Sequence, residues 1–245
     1  MKCKAREIQS REALRGAYRD MGEIFLSFLD VSTACIVSVK CGFKKKRLQH
    51  LFDITNTALS DCMTRMAADN EEELETAETA LWKMVHDLKY HGFNYYEEKE
   101  AHAFVDPFFN TWHSDREIRK HVSRAEFVSR MDVATDLYYV TLLNYMHDER
   151  GYGAIRLREL YADLREDFNK FLAAYVGRCD SKGDEEAQIM LEERQQRVIA
   201  LGLTLIESDG KEIEPIKTEP KVNIPLTVDE FIAVFGNNRK DKMYV

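Results

Sequence analysis

The sequence predicts a mainly α-helical bundle made of two similar helix–glycine–helix hairpins, followed by a small C-terminal β-hairpin and a short terminal helix. Three observations predict it. Apolar residues recur at three- and four-residue spacing through most of the first 200 positions, the period of a one-sided helix. Pro107, Pro215, Pro220 and Pro225 all lie outside those periodic segments, so nothing interrupts them. A glycine-centred turn also occurs twice, with Gly42 and Gly151 separated by 109 positions.

In chain order, residues 5–29 form an amphipathic helix whose face is Leu14, Tyr18, Met21, Phe25 and Phe28. The apolar run Val31 to Val39 fits a short strand or a continuation of that helix. Helix is the better reading, because the next helix needs a packing partner. Cys41-Gly42-Phe43 breaks the pattern. A second helix starts at Lys44 and carries Leu48, Leu51 or Phe52, Thr55, Leu59, Cys62 and Met66 on one side. Residues 70–90 make a third, with acidic residues in the first turn, where the helix dipole favours them. Its buried stripe is Leu74, Ala77, Leu81, Met84 and Leu88, and His91-Gly92-Phe93-Asn94 ends it.

Residues 94–115 read as irregular and aromatic-rich, a packed loop with short helical turns or a binding surface presenting Phe108, Phe109 and Trp112. Ser114 or Ser123 caps a helix in the 114–130 region, and Asp132 starts another that carries Leu137, Val140, Thr141, Asn144 and Tyr145. After Gly153, Leu157, Leu160, Leu164, Phe168, Phe171 and Tyr175 give the cleanest helical spacing in the chain, with Gly177 as its stop. Residues 184–201 form a polar, exposed helix. Leu203 to Glu214 has the Asp209-Gly210 turn and apolar flanks of a hairpin. Residues 215–225 are an extended linker. Thr227-Val228-Asp229-Glu230 is a capping-box opening for a helix through Phe235 that either binds a partner groove or docks on its own chain. Residues 1–200 are thus a helical domain, with similar segments at 14–66 and 132–176, and 201–245 form its appendage.

Composition narrows the function. Charged residues at 32% and hydrophobic ones at 44% fit a folded protein in water. No apolar run reaches the roughly 20 residues of a membrane span, and the N-terminal residues lack a signal-like apolar stretch, so a cytoplasmic protein is expected. Five scattered cysteines fit reduced thiols and form no zinc-site spacing. The formal charge of −8 argues against a general nucleic-acid surface, leaving Lys40, Lys44, Lys45, Lys46 and Arg47 as one dense basic patch. No phosphate loop, nucleophile elbow or dinucleotide fingerprint is present. His86-Asp87 and His147-Asp148 invite a metal-hydrolase reading of the His-Asp type, which needs further ligands from His50, His91, His102, His113 or His121. Cys41 lies among cations that could lower its pKa, without an evident base partner. No cofactor or metal is expected.

The two turns align residue by residue. Gly42 meets Gly151, Phe43 meets Tyr152, Arg47 meets Arg156, Leu48 meets Leu157, Leu51 meets Leu160, Phe52 meets Tyr161 and Leu59 meets Phe168. The pattern describes a helical hairpin with a glycine corner, an aromatic against the turn and an arginine in the second helix's first turn. That arginine either bonds carbonyls ending the preceding helix or presents a cation to a phosphate or carboxylate. Arg47, Arg156, Phe43, Tyr152 and Lys44 to Lys46 are therefore the candidate binding residues, beside Phe108, Phe109 and Trp112.

The segment Met146-His147-Asp148-Glu149-Arg150-Gly151-Tyr152-Gly153, with Arg156-Leu157 beyond it, resembles a turn in small helical proteins of bacteriophages and mobile elements of Gram-positive bacteria. The likeness covers about 30 of the 245 residues. It implies an accessory protein of such an element and brings no activity with it. The expectation is a non-enzymatic protein that binds a host or phage protein with a basic surface, an inhibitor of host defence being one form. Nucleic-acid binding through Lys40 to Arg47 is the alternative, metal-dependent hydrolysis the second alternative, and homo-oligomerisation stays open.

Overall fold

The computed structural model describes residues 25–67, 71–102, 123–176, 182–206 and 211–215. Seven helices account for almost all of it: α1 (25–41), α2 (Lys45–Ala67), α3 (Glu71–Tyr90), α4 (Tyr95–Ala101), α5 (Arg124–Asp148), α6 (Ala154–Val176) and α7 (Lys182–Ala200). None of the described helices is long and apolar enough to cross a membrane. The mainly α reading holds, and residues 31–39 continue α1 as a helix.

The centre of the bundle is α5. Nearly every residue from Met131 to Leu143 is buried, Thr135, Asp136 and Thr141 included, because α2 and α3 pack on it and α6 crosses it. A helix apolar on all sides belongs inside. The sequence suggested a single stripe there and a helix start at Asp132. Instead one helix runs unbroken from its cap at Ser123, whose hydroxyl accepts from the Glu126 amide at 3.2 Å. Asp132 turns sideways to Lys99 at 3.6 Å. The first third of the aromatic-rich stretch is also regular, since Tyr95–Ala101 is a helix. Its buried Tyr95 donates to Asp136 Oδ1 at 2.9 Å, and Lys99 Nζ reaches Asp136 Oδ2 at 2.8 Å. Phe108, Phe109 and Trp112 lie outside the described residues.

α1 packs on the far end of α6 through aromatic rings. Phe28 stacks on Phe171 with centroids 3.9 Å apart, and Phe25 meets Phe168, Phe171 and Tyr175 edge-on. A polar latch adds α7: Arg194 grips Asp167 with two nitrogens, at 2.6 and 3.2 Å, and Ser32 donates to the same carboxylate at 2.6 Å. Such forked, partly buried pairs fix orientation as well as distance.

After α7 the chain turns at Gly202 and Leu203 enters the core. The expected hairpin is reduced to one antiparallel bridge, Ile206 to Glu212, with the Ile213 amide donating to Leu205 O at 2.9 Å, and no strand forms among the described residues. Pro215 supplies a reason. It follows two residues later and has no amide to extend the ladder. The proposed linker beyond Pro215, the terminal helix and the tip of the hairpin lie outside the described residues.

Candidate functional site

Two surfaces emerge, and the first is the pair of turns. Both helices end on a glycine in the left-handed region, Gly42 at φ 64° and Gly151 at φ 65°. In each, the following aromatic's amide reaches back six residues, from Phe43 to Val37 O at 3.3 Å and from Tyr152 to Met146 O at 3.1 Å. The next helix starts three residues after the glycine in both, at Lys45 and at Ala154. Gly92 and Gly202 end their helices differently. There the next amide reaches back five residues, to Leu88 and Val198, and the glycine amide reaches back three, the Schellman form. The two turns that match in sequence therefore match in backbone as well, and the other two form a separate pair.

The matched turns also touch each other reciprocally. Arg150 places its guanidinium over the Phe43 ring, 5.2 Å from the centroid. In the mirror contact the Cys41 thiol faces the Tyr152 hydroxyl. Cys41 aligns with Arg150 and Phe43 with Tyr152, so position A of one turn meets position B of the other, both ways round. Helix packing follows the same exchange, with α2 on α5 and α1 on α6. This is the relation expected across a twofold axis, here within one chain.

Around the two turns the expected site residues divide. Phe43 is only 2% exposed. It holds the corner together and cannot touch a ligand, so its place among the binding residues is corrected. Tyr152 is half-buried, with Arg156 Cζ 5.6 Å from its ring centroid. Lys44, Lys45, Lys46, Arg47 and Arg156 are all exposed. Neither Arg47 nor Arg156 bonds a helix-ending carbonyl among the described residues. Arg158 has that role at another corner, donating to Gly92 O at 3.1 Å while pairing with Glu98 at 2.7 Å. Lys40 is ion-paired with Asp163. Arg150 sits between the two sets, close enough to Tyr145 to act on it together with Arg47, and to Tyr152 together with Arg156. Asp148 and Glu149 are exposed beside them and dilute the positive charge.

The Cys41 thiol does not become acidic. Burial pushes its pKa up, and the Tyr152 hydroxyl, Lys40 and Arg150 only oppose that. Cys35, deeper in the core, is pushed up to about 11 for the same reason. A thiol held protonated is a poor nucleophile.

The histidine–aspartate pairs do not converge. The His86 ring stacks on Trp82, with centroids 6.2 Å apart. His147 stacks on His91 at 3.9 Å, and its Nδ1 lies 2.8 Å from Tyr152 O. A carbonyl can only accept, so Nδ1 carries the hydrogen there. Among the described residues no three His, Cys, Asp or Glu side chains gather to hold a metal ion. His113 and His121 lie outside them.

The second surface was missed in the sequence. On α3, opposite the buried Leu81, Val85 and Leu88, Trp82 is 66% exposed and Tyr90 83% exposed, with exposed His86 between them at one-turn spacing. Glu75, Glu78 and Asp87 are exposed on the same helix, with Lys83 and Lys89 nearby. The signal was available: Trp82, His86 and Tyr90 are spaced by four, in phase with each other and out of phase with the apolar stripe.

Comparison with known proteins returned no match: no family model, no curated protein and no solved structure is similar to this chain.

Proposed function

We propose that this chain is a non-enzymatic binding protein that holds a partner protein through the outer face of α3. The observation that carries the reading is the exposed Trp82–His86–Tyr90 stripe. Leaving a large apolar side chain in water forfeits roughly 1.5–3 kcal/mol of burial, and tryptophan and tyrosine dominate the energetics of protein interfaces. A helix presenting three rings in register fits an apolar groove. Glu75, Glu78 and Asp87 outnumber Lys83 and Lys89 on the same helix, which suits a groove rimmed by lysine or arginine. The likeness of the Gly151 turn to phage and mobile-element proteins supports an accessory protein acting in the host cytoplasm on a host or phage protein, inhibition of a defence protein being its specific form. Affinity capture from host lysate with wild-type, Trp82→Ala and Tyr90→Ala chains tests it. A protein retained by the wild type should fall at least tenfold with Trp82→Ala at unchanged Tm, and equal capture by all three overturns the reading.

A second reading has one observation in its favour, the outward Arg47 and Arg156 on either side of Arg150. That row of cations suits the phosphates of a nucleic acid. Duplex binding in low salt that does not weaken in the Lys44→Ala, Lys45→Ala, Lys46→Ala triple variant discards it.

A further inference from the structure

The outer face of α3 is complementary to itself. Trp82 and His86, one turn apart, stack with centroids 6.2 Å apart along the middle of the face. Glu78 and Lys89 are eleven positions apart, three turns, so they share one flank of it. Lys83 and Asp87 are four apart and share the other flank. All six side chains are exposed, and among the described residues no ion pair engages the charged ones. The three pairs also have a common centre. The midpoints of Trp82–His86, Glu78–Lys89 and Lys83–Asp87 all fall within one residue of Met84.

A second, antiparallel α3 related by a twofold axis at the level of Met84 would set each residue against the position reflected through that centre. Trp82 would then lie on His86 of the other copy, Glu78 would meet Lys89, and Lys83 would meet Asp87, each contact made twice. Tyr90 would fall against exposed Thr79. A parallel pairing would instead set like charges against each other. Charges in matching order along facing helices select partner and direction, and a surface that fits its own rotated image forms a closed dimer. We infer that α3 pairs antiparallel with α3 of a second copy of this chain, closing the Trp82–His86–Tyr90 face when no other protein holds it. This rests on the reading of that face as an interface and adds its regulation: the second copy and a partner protein exclude each other. One helix pair covers less than a standard interface, so the dimer is weak and a tighter partner displaces it.

The test is sedimentation equilibrium of the full chain in low salt, up to millimolar concentration. A monomer–dimer equilibrium is expected, weakened at least tenfold by Trp82→Ala, by Glu78→Lys or by Lys89→Glu. Mixing the Glu78→Lys and Lys89→Glu chains restores opposite charges at both contacts, so a one-to-one heterodimer should form where neither variant dimerises alone. These residues are exposed, so the substitutions leave the fold intact. A chain monomeric at every concentration, a dimer indifferent to the three substitutions, or variants that do not rescue each other overturns the inference. Capture of a host protein is read separately. A monomer that still captures one overturns the self-pairing alone, and an intact dimer beside capture unaffected by Trp82→Ala overturns the partner reading alone.

Discussion

The turns at Gly42 and Gly151 share a backbone and differ in what lies beneath it. The first buries its aromatic completely, Phe43 roofed by Arg150 from the other turn. The second leaves Tyr152 half out, its ring facing Arg156 and its hydroxyl facing Cys41. One sequence pattern thus encodes one corner, while the side chain arriving from the opposite hairpin decides whether the aromatic becomes core or surface. The same divergence runs along the helices. Leu48 and Leu157 are both fully buried, yet exposed Lys44, Lys45 and Lys46 stand where the second turn has Gly153, Ala154 and Ile155. The shared residues are structural, and the differing ones give each corner its surface.

The comparison can be broken most severely at the aromatics. Phe43→Ala removes a core ring and should cost about 3–5 kcal/mol, while Tyr152→Ala should cost about 1 kcal/mol. Urea denaturation of the two variants measures the gap, and equal losses would mean that the corners are equivalent after all.

Next comes pH. Asp30 aligns with Tyr139 of the second hairpin, so one hairpin carries an acid where the other carries a phenol. The Asp30 carboxyl titrates near 3.8 in the unfolded chain and at about 7 in the folded one, so between those values the folded state holds a proton that the unfolded state has released. Stability therefore falls as pH rises from about 4 to about 7, by up to about 1.4 kcal/mol per pH unit. Tyr138 faces this carboxyl, and Asp53 lines the same groove, between α1, α2, the end of α7 and the segment 203–206. Asp30→Asn should flatten that part of the stability profile, with Tm against pH as the readout, and an unchanged slope would place the titration elsewhere.

A smaller effect sharpens the likeness of the turns. A Cβ added at Gly42 or Gly151 meets nothing within 4 Å, so Gly42→Ala and Gly151→Ala should each cost only the left-handed strain, about 1 kcal/mol. Matching losses support equivalent corners, and a large loss at one alone would reveal a steric constraint there. Smallest of all, Arg150→Ala should cost about 0.5–1 kcal/mol for the ring contact it gives up. In a double-mutant cycle with Phe43→Leu the coupling should persist at moderate salt; a cycle summing to zero would show that the guanidinium only rests nearby.

Much of this architecture could be read from the residues. Leu157 through Tyr175 and Leu48 through Leu59 declared their helices by spacing, because a surface helix must bury one side and wet the other. α5 was harder for the same reason turned round: a helix buried on every side has no stripe, and Asp132 mimicked a cap. The Gly42 and Gly151 corners were legible because left-handed backbone selects glycine. Their reciprocal contact was not, since nothing in a local pattern reports which hairpin it faces. The exposure of Trp82 and Tyr90 was not legible, because helical spacing marks the core-facing stripe of α3 and carries no signal of how exposed its outer face is. The Asp30 groove was invisible, assembled as it is from segments between Asp30 and Ile206.

The crosswise packing also sets a schedule for synthesis. Ser32 bonds Asp167 across 135 residues of sequence, so α1 emerges long before the helix it is built against. At 5–20 residues per second that interval lasts roughly 7–27 s. Throughout it, the Phe25–Phe28 face waits in water for Phe168 and Phe171. The first hairpin is thus an unfinished half-product until its counterpart arrives.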